Sequence, residues 1–232
     1  MISEWPNDIH VLIPAYNASD LLDSFIPKLL SMVPPEKICV VNDASKDNIH
    51  GVCKKWSLKC LDHEKNMGKG AALKTGFEYL VKNGAGWIIT MDADGQHAVD
   101  DIPIFIESAQ KNRSAGIIIG ARCMKIGVMP PLRIFSNITT SFILSVFCHT
   151  KIKDSQCGYR IYSADLIKKV TLEYPRFQME SEIILKAVFN HFPVLFIDVQ
   201  TLYSGGPSHI SHLKDTFRWV VAVIRIWFKL TF

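Results

Sequence analysis

Over the first 120 residues, short and nearly continuous apolar runs alternate with stretches in which apolar positions recur every three or four residues. The runs at 9–14 (IHVLIP), 38–41 (ICVV), 87–91 (WIITM) and 116–120 (GIIIG) are rich in Ile and Val. They lack the in-and-out alternation of a half-exposed strand, so they predict parallel strands buried on both faces. The 3.6-residue period predicts helices over 20–30 with Ser19 as N-cap, 46–56, 70–81 ending near Gly84, and 99–111. Strand and helix alternate, which predicts an α/β fold: an open, mostly parallel twisted sheet with helices on both faces, wound in right-handed crossovers. Such sheets bind ligands beyond the carboxyl ends of their strands, and this directs attention to 14–17, 42–45 and 92–97.

After residue 121 the pattern changes. A helix is predicted over 134–147 (IFSNITTSFILSVF), a strand over 160–162, a helix over 180–189 and a strand over 194–199. Gly205-Gly206-Pro207 is a strong breaker. The expected division is a folded domain over 1–212, followed by a basic, aromatic, amphipathic helix over 213–232.

Composition sets bounds on these elements. With 232 residues, 48% of them hydrophobic and 21% charged, the chain is neither disordered nor of low complexity. Mean hydropathy is +0.15. No uninterrupted run of eighteen apolar residues stands out, and the start MISEWPNDIH lacks a basic-then-apolar pattern. The expectation is a cytoplasmic protein that does not cross a bilayer. The six cysteines include no CxxC and no nearby pair of metal-ligand spacing, so they read as reduced thiols, mostly in the core. The net charge of +4 is divided unevenly: residues 1–100 carry 10 basic against 13 acidic side chains, residues 101–232 carry 16 against 9. The basic half is the one suited to phosphates or to an anionic membrane surface; nucleic acid is not an expected partner.

Three motifs carry chemistry. In MDADGQH (91–97), Asp92 and Asp94 flank Ala93 at the mouth of a predicted strand. Two carboxylates so close repel unless a cation relieves them, and hard oxygen ligands of this kind, with Gln96 as a neutral addition, suit Mg²⁺ or Mn²⁺. The plainer reading is an acidic turn at Asp94-Gly95. Asp43 in VVNDASKD follows a second strand, where an acidic side chain either reaches the sugar or base of a nucleotide or caps the next helix. NMGKGAALKTG (66–76) is a glycine-rich helix entry with Lys69 inside it, a feature that attracts phosphate. It is neither GxxxxGK[ST] nor GxGxxG, because Leu73 stands where the third glycine would fall, and this removes P-loop NTPases and NAD enzymes.

PAYNAS (14–19), VNDAS (41–45), NMGKGAAL (66–73), MDADGQH (91–97), GARC (120–123), DSQCGYRIY (154–162) and ESEIILKA (180–187) occur in the order and spacing of the family 2 glycosyltransferases. Within that family the chain resembles the dolichol- or polyprenol-phosphate mannosyl- and glucosyltransferases. The resemblance implies a GT-A fold of the nucleotide-diphospho-sugar transferase kind and inversion at the anomeric carbon. It implies nucleoside contacts from Pro14, Tyr16, Asn17 and Asp43, and a metal and diphosphate motif at Asp92, Ala93 and Asp94 with Gln96 as a further ligand. It further implies acceptor contacts from Arg122, Gln156 and Arg160, with Arg133 a weaker candidate and Ser208-His209 touching acceptor or diphosphate. Ala18 departs from the family's usual glutamate and leaves the base open. The branch often carries transmembrane helices after the catalytic domain, which do not follow here, so a separate membrane subunit or a homo-oligomer enters as an expectation.

The acceptor sets the remaining demand. A sugar hydroxyl requires a general base, for which Asp154, Glu180 and Glu182 are the candidates. A lipid phosphate, with a second pKa near 6, is already an anionic nucleophile and requires cationic positioning instead. Residues 111–160 hold eight basic side chains against Asp154 alone, which favours the phosphate. The segments 134–147 and 217–232 combine apolar, aromatic and basic residues in a way that suits an anionic leaflet, and equally suits packing on the sheet. The expected activity is transfer of a hexose from a nucleotide diphosphate sugar to a polyprenyl phosphate at the cytoplasmic membrane surface. A glycan hydroxyl acceptor is the nearest alternative; a nucleotidyltransferase or a non-catalytic nucleotide-sugar binder are alternatives of another class.

Overall fold

The computed structural model describes residues 4–202 and 212–231, with side chains given outside 212–217. In chain order the elements are β1 (Ile9–Ala15), α1 (Ser19–Leu30), β2 (Ile38–Asn42), α2 (Ile49–Lys55), β3 (Lys59–Asp62), α3 (Lys69–Lys82), β4 (Trp87–Thr90), α4 (Ile102–Lys111), β5 (Ile117–Ala121), α5 (Pro131–Cys148), β6 (Arg160–Ser163), α6 (Ala164–Lys169), α7 (Gln178–Phe189), β7 (Val194–Asp198) and α8 (His212–Thr231).

The strands form one seven-stranded sheet in the order β3-β2-β1-β4-β6-β5-β7. All pairings are parallel except those of β6, which runs antiparallel to both β4 and β5. Every residue of β1, β4 and β6 is buried. Burial of consecutive residues requires cover on both faces of the sheet, and it explains why β1 and β4 read as nearly unbroken apolar runs. At α3 the cover is close: a Cβ on Gly76 would stand 2.2 Å from Leu12 Cδ1 of β1. The reversal of β6 has a consequence for the site. Parallel strands present their carboxyl ends at one edge, and an antiparallel strand presents its amino end there, so the loop 154–159 joins the rim formed by the loops after β1, β2, β4 and β5.

Several local features differ from the expected ones, each for a visible reason. Ser19 is the first residue of α1 and not its cap; Ala18 precedes it without a side-chain bond. The Ser19 amide instead donates to Asp47 Oδ2 at 2.7 Å, so the loop after β2 satisfies an orphan N–H of α1. That loop is tied to the loop after β1 by Asn17 N–H to Ser45 Oγ at 3.0 Å and Lys46 N–H to Asn17 Oδ1 at 2.8 Å. With 43–48 held in this way, and Ala44 at φ +58°, α2 starts at Ile49 and not at 46. β3 (KCLD) contains only two apolar residues and pairs with β2 alone, which is how it escapes the apolar-run criterion.

α5 is built inside out. Its buried positions include Asn137, Thr140 and Ser141, whereas Leu132, Phe135, Ile138, Phe142 and Val146 are exposed, Phe135 and Phe142 by nearly 70%. It runs beyond the predicted 134–147 at both ends, to 18 residues with mean hydropathy 1.3, so by length and composition it is enough to cross a membrane. This departs from the expectation that no segment is. The helix α8 lies against α7, with Ala222, Val223 and Ile226 buried, and reaches α5 where Trp227 meets Phe147 with ring centroids 5.4 Å apart.

Candidate active site

The strand ends converge on a cleft of about 270 Å³. Of the residues singled out in the sequence, Lys69, Asp92, Asp94, Gln96, Arg122, Arg133, Gln156 and Glu180 line it. Pro14 is buried, and Tyr16 and Asn17 are exposed on the neighbouring loop after β1, outside this cleft. Ser208 and His209 lie outside the described residues.

One side of the cleft begins at β4. Asp92 Oδ1 lies 2.7 Å from Lys69 Nζ, which also reaches Glu180 Oε1 at 2.8 Å. Burial opposes both charges, but the pairing more than offsets it: the Asp92 carboxyl is held well below the usual carboxylate range and the Lys69 ammonium is raised above its own. Asp94 behaves differently. Its Oδ1 accepts from Gln96 N–H at 3.0 Å, and burial, followed by the charge of Asp92, raises its pKa. Gly158 closes the floor, because a Cβ there would meet Asp92 Oδ2 at 2.8 Å and Lys69 Nζ at 2.9 Å. His97, which the reading of MDADGQH passed over, is largely covered and stacks on Tyr159 with centroids 4.8 Å apart. Its Nδ1 accepts the Asp92 amide at 3.1 Å, which leaves the proton on Nε2, and burial lowers its pKa so that the ring stays neutral.

The glycine-rich entry to α3 does something other than present its backbone to phosphate. Met67 and Gly68 N–H donate to Asp43 Oδ1 and Oδ2 at 2.8 and 2.7 Å, and Ala71 N–H donates to Pro175 O at 2.9 Å. Gly68 has φ +96°, and a Cβ on it would stand 2.8 Å from Pro175 O, so glycine is required twice over. The Asp43 carboxylate also bonds His63 Nδ1 at 2.7 Å, and His63 Nε2 bonds Thr75 Oγ1 at 2.9 Å. Asp43 therefore neither caps α2 nor opens freely onto solvent; it fastens the loop after β2 to α3. Lys69 contributes through its side chain.

Across the cleft Arg122 follows β5, and its guanidinium is held by Asp154: Nε donates to Oδ2 at 2.8 Å and Nη2 to Oδ1 at 3.1 Å. Asp154 is fully buried and accepts four further bonds, from the Arg122, Gln156 and Cys157 amides and from Asn137 Nδ2. Burial is again overridden, and the carboxyl stays below its ordinary pKa. A carboxylate enclosed in this way orients Arg122 and has no lone pair facing the cleft; this corrects its candidacy as a general base. Gln156 donates to Ser136 and Thr140 on the inner face of α5 at 3.0 and 3.1 Å. Asn137, Thr140 and Ser155 complete this polar layer; the only sequence signal for Asn137 and Thr140 was polar residues at helical spacing inside an apolar segment, whereas Ser155 sits in the DSQCGYRIY motif.

Two further candidates are displaced. Arg160 is fully buried in β6, and its guanidinium donates to the carbonyls of Cys157, Glu180 and Ser155 at 2.6, 2.9 and 2.8 Å. It braces the loop before β6 from behind and does not line the cleft. Glu182 is fully buried on the far side of α7, paired with Lys186 at 2.7 Å and accepting the Glu173 and Tyr174 amides. Of the three carboxylates expected as bases, only Glu180 faces the cleft, and it is paired with Lys69.

The model of glycosyl transferase family 2 matches residues 10–171. A UDP-N-acetylglucosamine–dolichyl-phosphate N-acetylglucosaminyltransferase of Methanococcus voltae is 28% identical over 84% of this chain and 86% of its own. An undecaprenyl-phosphate mannosyltransferase of Micrococcus luteus is 28% identical over 70% and 69%. Among solved structures, a glucosyl-3-phosphoglycerate synthase of Mycobacterium tuberculosis in complex with Mn²⁺ and UDP-glucose superposes with a TM-score of 0.74 at 14% identity, over 94% of this chain and 78% of that one. With the family model covering well over half of its length, and with the motif loops gathered at one sheet edge, the chain belongs to glycosyl transferase family 2.

Proposed function

We propose that the protein transfers a hexose from a nucleoside diphosphate sugar to a polyprenyl phosphate at a membrane surface, with inversion at the anomeric carbon. One observation carries the choice of acceptor. On the acceptor side the cation Arg122 faces the cleft in a fixed orientation, while Asp154 and Glu182 are enclosed by their own partners. A guanidinium positioned by a buried carboxylate suits an anionic oxygen, and a phosphate with a second pKa near 6 needs no base at neutral pH. Arg133, on the same rim, adds charge.

The donor side fits a divalent ion. Partial burial and the neighbouring charge of Asp92 raise the Asp94 pKa, so a cation would relieve it; Gln96 and Asp92 complete a set of hard oxygen donors suited to Mg²⁺ or Mn²⁺. When bound, such an ion neutralises the charge that develops on the departing diphosphate. Lys69 holds Asp92 and Glu180 in place and keeps Asp92 ionised, and Tyr16 and Asn17 border the nucleoside end. The names of the relatives, dolichyl-phosphate and undecaprenyl-phosphate transferases, agree with this assignment.

The lipid chain suits α5. Its inner face offers Arg133, Ser136 and Thr140 to the cleft, while Leu132, Phe135, Ile138, Phe142 and Val146 form an apolar stripe on the opposite face. Only 28% of the helix is buried, and its polar layer is committed to Asp154, Ser155 and Gln156, so it lies in the interface and does not span. On α8, Phe228 and Ile224 are exposed next to Arg225, which suits an anionic leaflet. Assaying a panel of nucleotide sugars with Mn²⁺, with and without short-chain polyprenyl phosphate, tests the proposal. Lipid-dependent turnover of one donor is the expected result. Transfer only to glycan hydroxyls, or pyrophosphate release, would reject it.

A further inference from the structure

The edge of the sheet farthest from β7 carries a second cluster of ligating side chains. His50, on the first turn of α2, and Cys60 and Asp62, two apart on β3, bring Nδ1, Sγ and a carboxylate oxygen within 4.8 Å of one another. Alternation along the strand places Cys60 and Asp62 on one face. The separations are 3.6 Å from His50 Nδ1 to Asp62 Oδ2 and 3.9 Å from Cys60 Sγ to Asp62 Oδ1. Bonds of about 2.0–2.3 Å around a tetrahedral ion give ligand edges of roughly 3.3–3.8 Å, so small rotations of these side chains would close the set.

The surroundings support ligation. Asn42 Nδ2 donates to Asp62 Oδ1 at 2.8 Å, which fixes the carboxylate and leaves Oδ2 towards His50. Outer contacts of this kind orient ligands and raise affinity. The spacing that the cysteine pattern seemed to lack is thus split between a helix and a strand.

We propose that His50, Cys60 and Asp62 bind a zinc ion, with solvent in the fourth position. A mixed nitrogen, sulfur and oxygen set of three protein ligands favours Zn²⁺ over the hard cations suited to Asp94. The ion would join α2 to the edge strand β3, which only β2 otherwise pairs, and would steady the chain just before His63, the partner of Asp43. The site is separate from the cleft and does not depend on the acceptor assigned above.

The test uses the full chain, stripped with a chelator and kept reduced without added thiol. Zn²⁺ is titrated against a chromophoric competitor, and Co²⁺ is titrated while thiolate-to-cobalt charge-transfer absorption is followed. Wild type and Asp94→Asn should each bind one zinc and be raised in Tm by it. His50→Ala and Cys60→Ser should bind more than about 100-fold more weakly, and Cys60→Ser should lose the charge-transfer band; Asn42→Ala should weaken binding about 10- to 100-fold. His50 is 71% exposed at its side chain, so His50→Ala keeps the fold, as circular dichroism will verify. Absence of zinc binding by the reduced wild type, unchanged binding in His50→Ala, or loss in Asp94→Asn alone would overturn the proposal.

Discussion

The two sides of the cleft use buried carboxylates in opposite ways. Asp154, beside Arg122, accepts six hydrogen bonds, two of them from the Arg122 guanidinium, and its pKa falls although it is wholly inside the protein. Asp94, after β4, is less enclosed but has one amide bond and a like charge nearby, and its pKa rises. Burial penalises both; the number and sign of the partners decides the outcome. A satisfied carboxylate is structural and a deprived one is a place for a cation.

The contrast predicts opposite responses to neutralisation. Asp154→Ala leaves the Arg122 guanidinium partly buried without its partner and should cost about 3–5 kcal/mol in urea unfolding, with acceptor saturation lost. Asp94→Asn should cost no stability and, in the metal-free protein at neutral pH, should raise Tm. Its kcat should nonetheless fall roughly 100- to 1000-fold, and added Mn²⁺ should not restore it. If both variants unfold alike, the contrast is wrong.

Acid separates the two sides as well. The Asp154 pKa is below its unfolded value of 3.8, so the stability it contributes is present above that value and is lost only as pH falls through the lower folded pKa. Asp94, with its pKa raised, takes up a proton at higher pH, so metal-dependent turnover should fail while the fold persists, and higher Mn²⁺ should move the failing limb towards acid. Activity and far-UV circular dichroism followed over the same pH series check this.

Smaller effects follow. Arg122→Ala should weaken the acceptor by about 1.5–3 kcal/mol, roughly 10- to 150-fold, with donor affinity unchanged, which isothermal titration of each substrate would resolve. Phe135→Ser with Phe142→Ser on the exposed face of α5 should reduce sedimentation with anionic liposomes while moving stability by no more than about 0.5 kcal/mol per site.

The fold was largely legible in the sequence because buried parallel strands leave unbroken apolar runs, and β1, β2, β4 and β5 are such runs. The direction of β6 was not, since periodicity carries no sign. The inverted helix α5 was half legible: its apolar majority was plain, but which face turned inward depended on Asp154 and Gln156, fifteen or so residues away. The cleft followed from the loops after the strands, and Asp92, Asp94, Gln96 and Arg122 line it. Arg160 and Glu182 were misplaced for one reason: a charged residue type suggests solvent or chemistry, whereas these two have their charge satisfied by backbone groups that only the folded chain supplies.

The central claim is that an oriented cation, and not a base, prepares the acceptor. Polyprenyl phosphate and the free polyprenol of equal length, offered together with Mn²⁺ and the preferred nucleotide sugar, test it directly by mass spectrometry of the products. Hexose on the phosphate alone is expected, with the Arg122→Ala variant losing that product. Comparable glycosylation of the alcohol would contradict it.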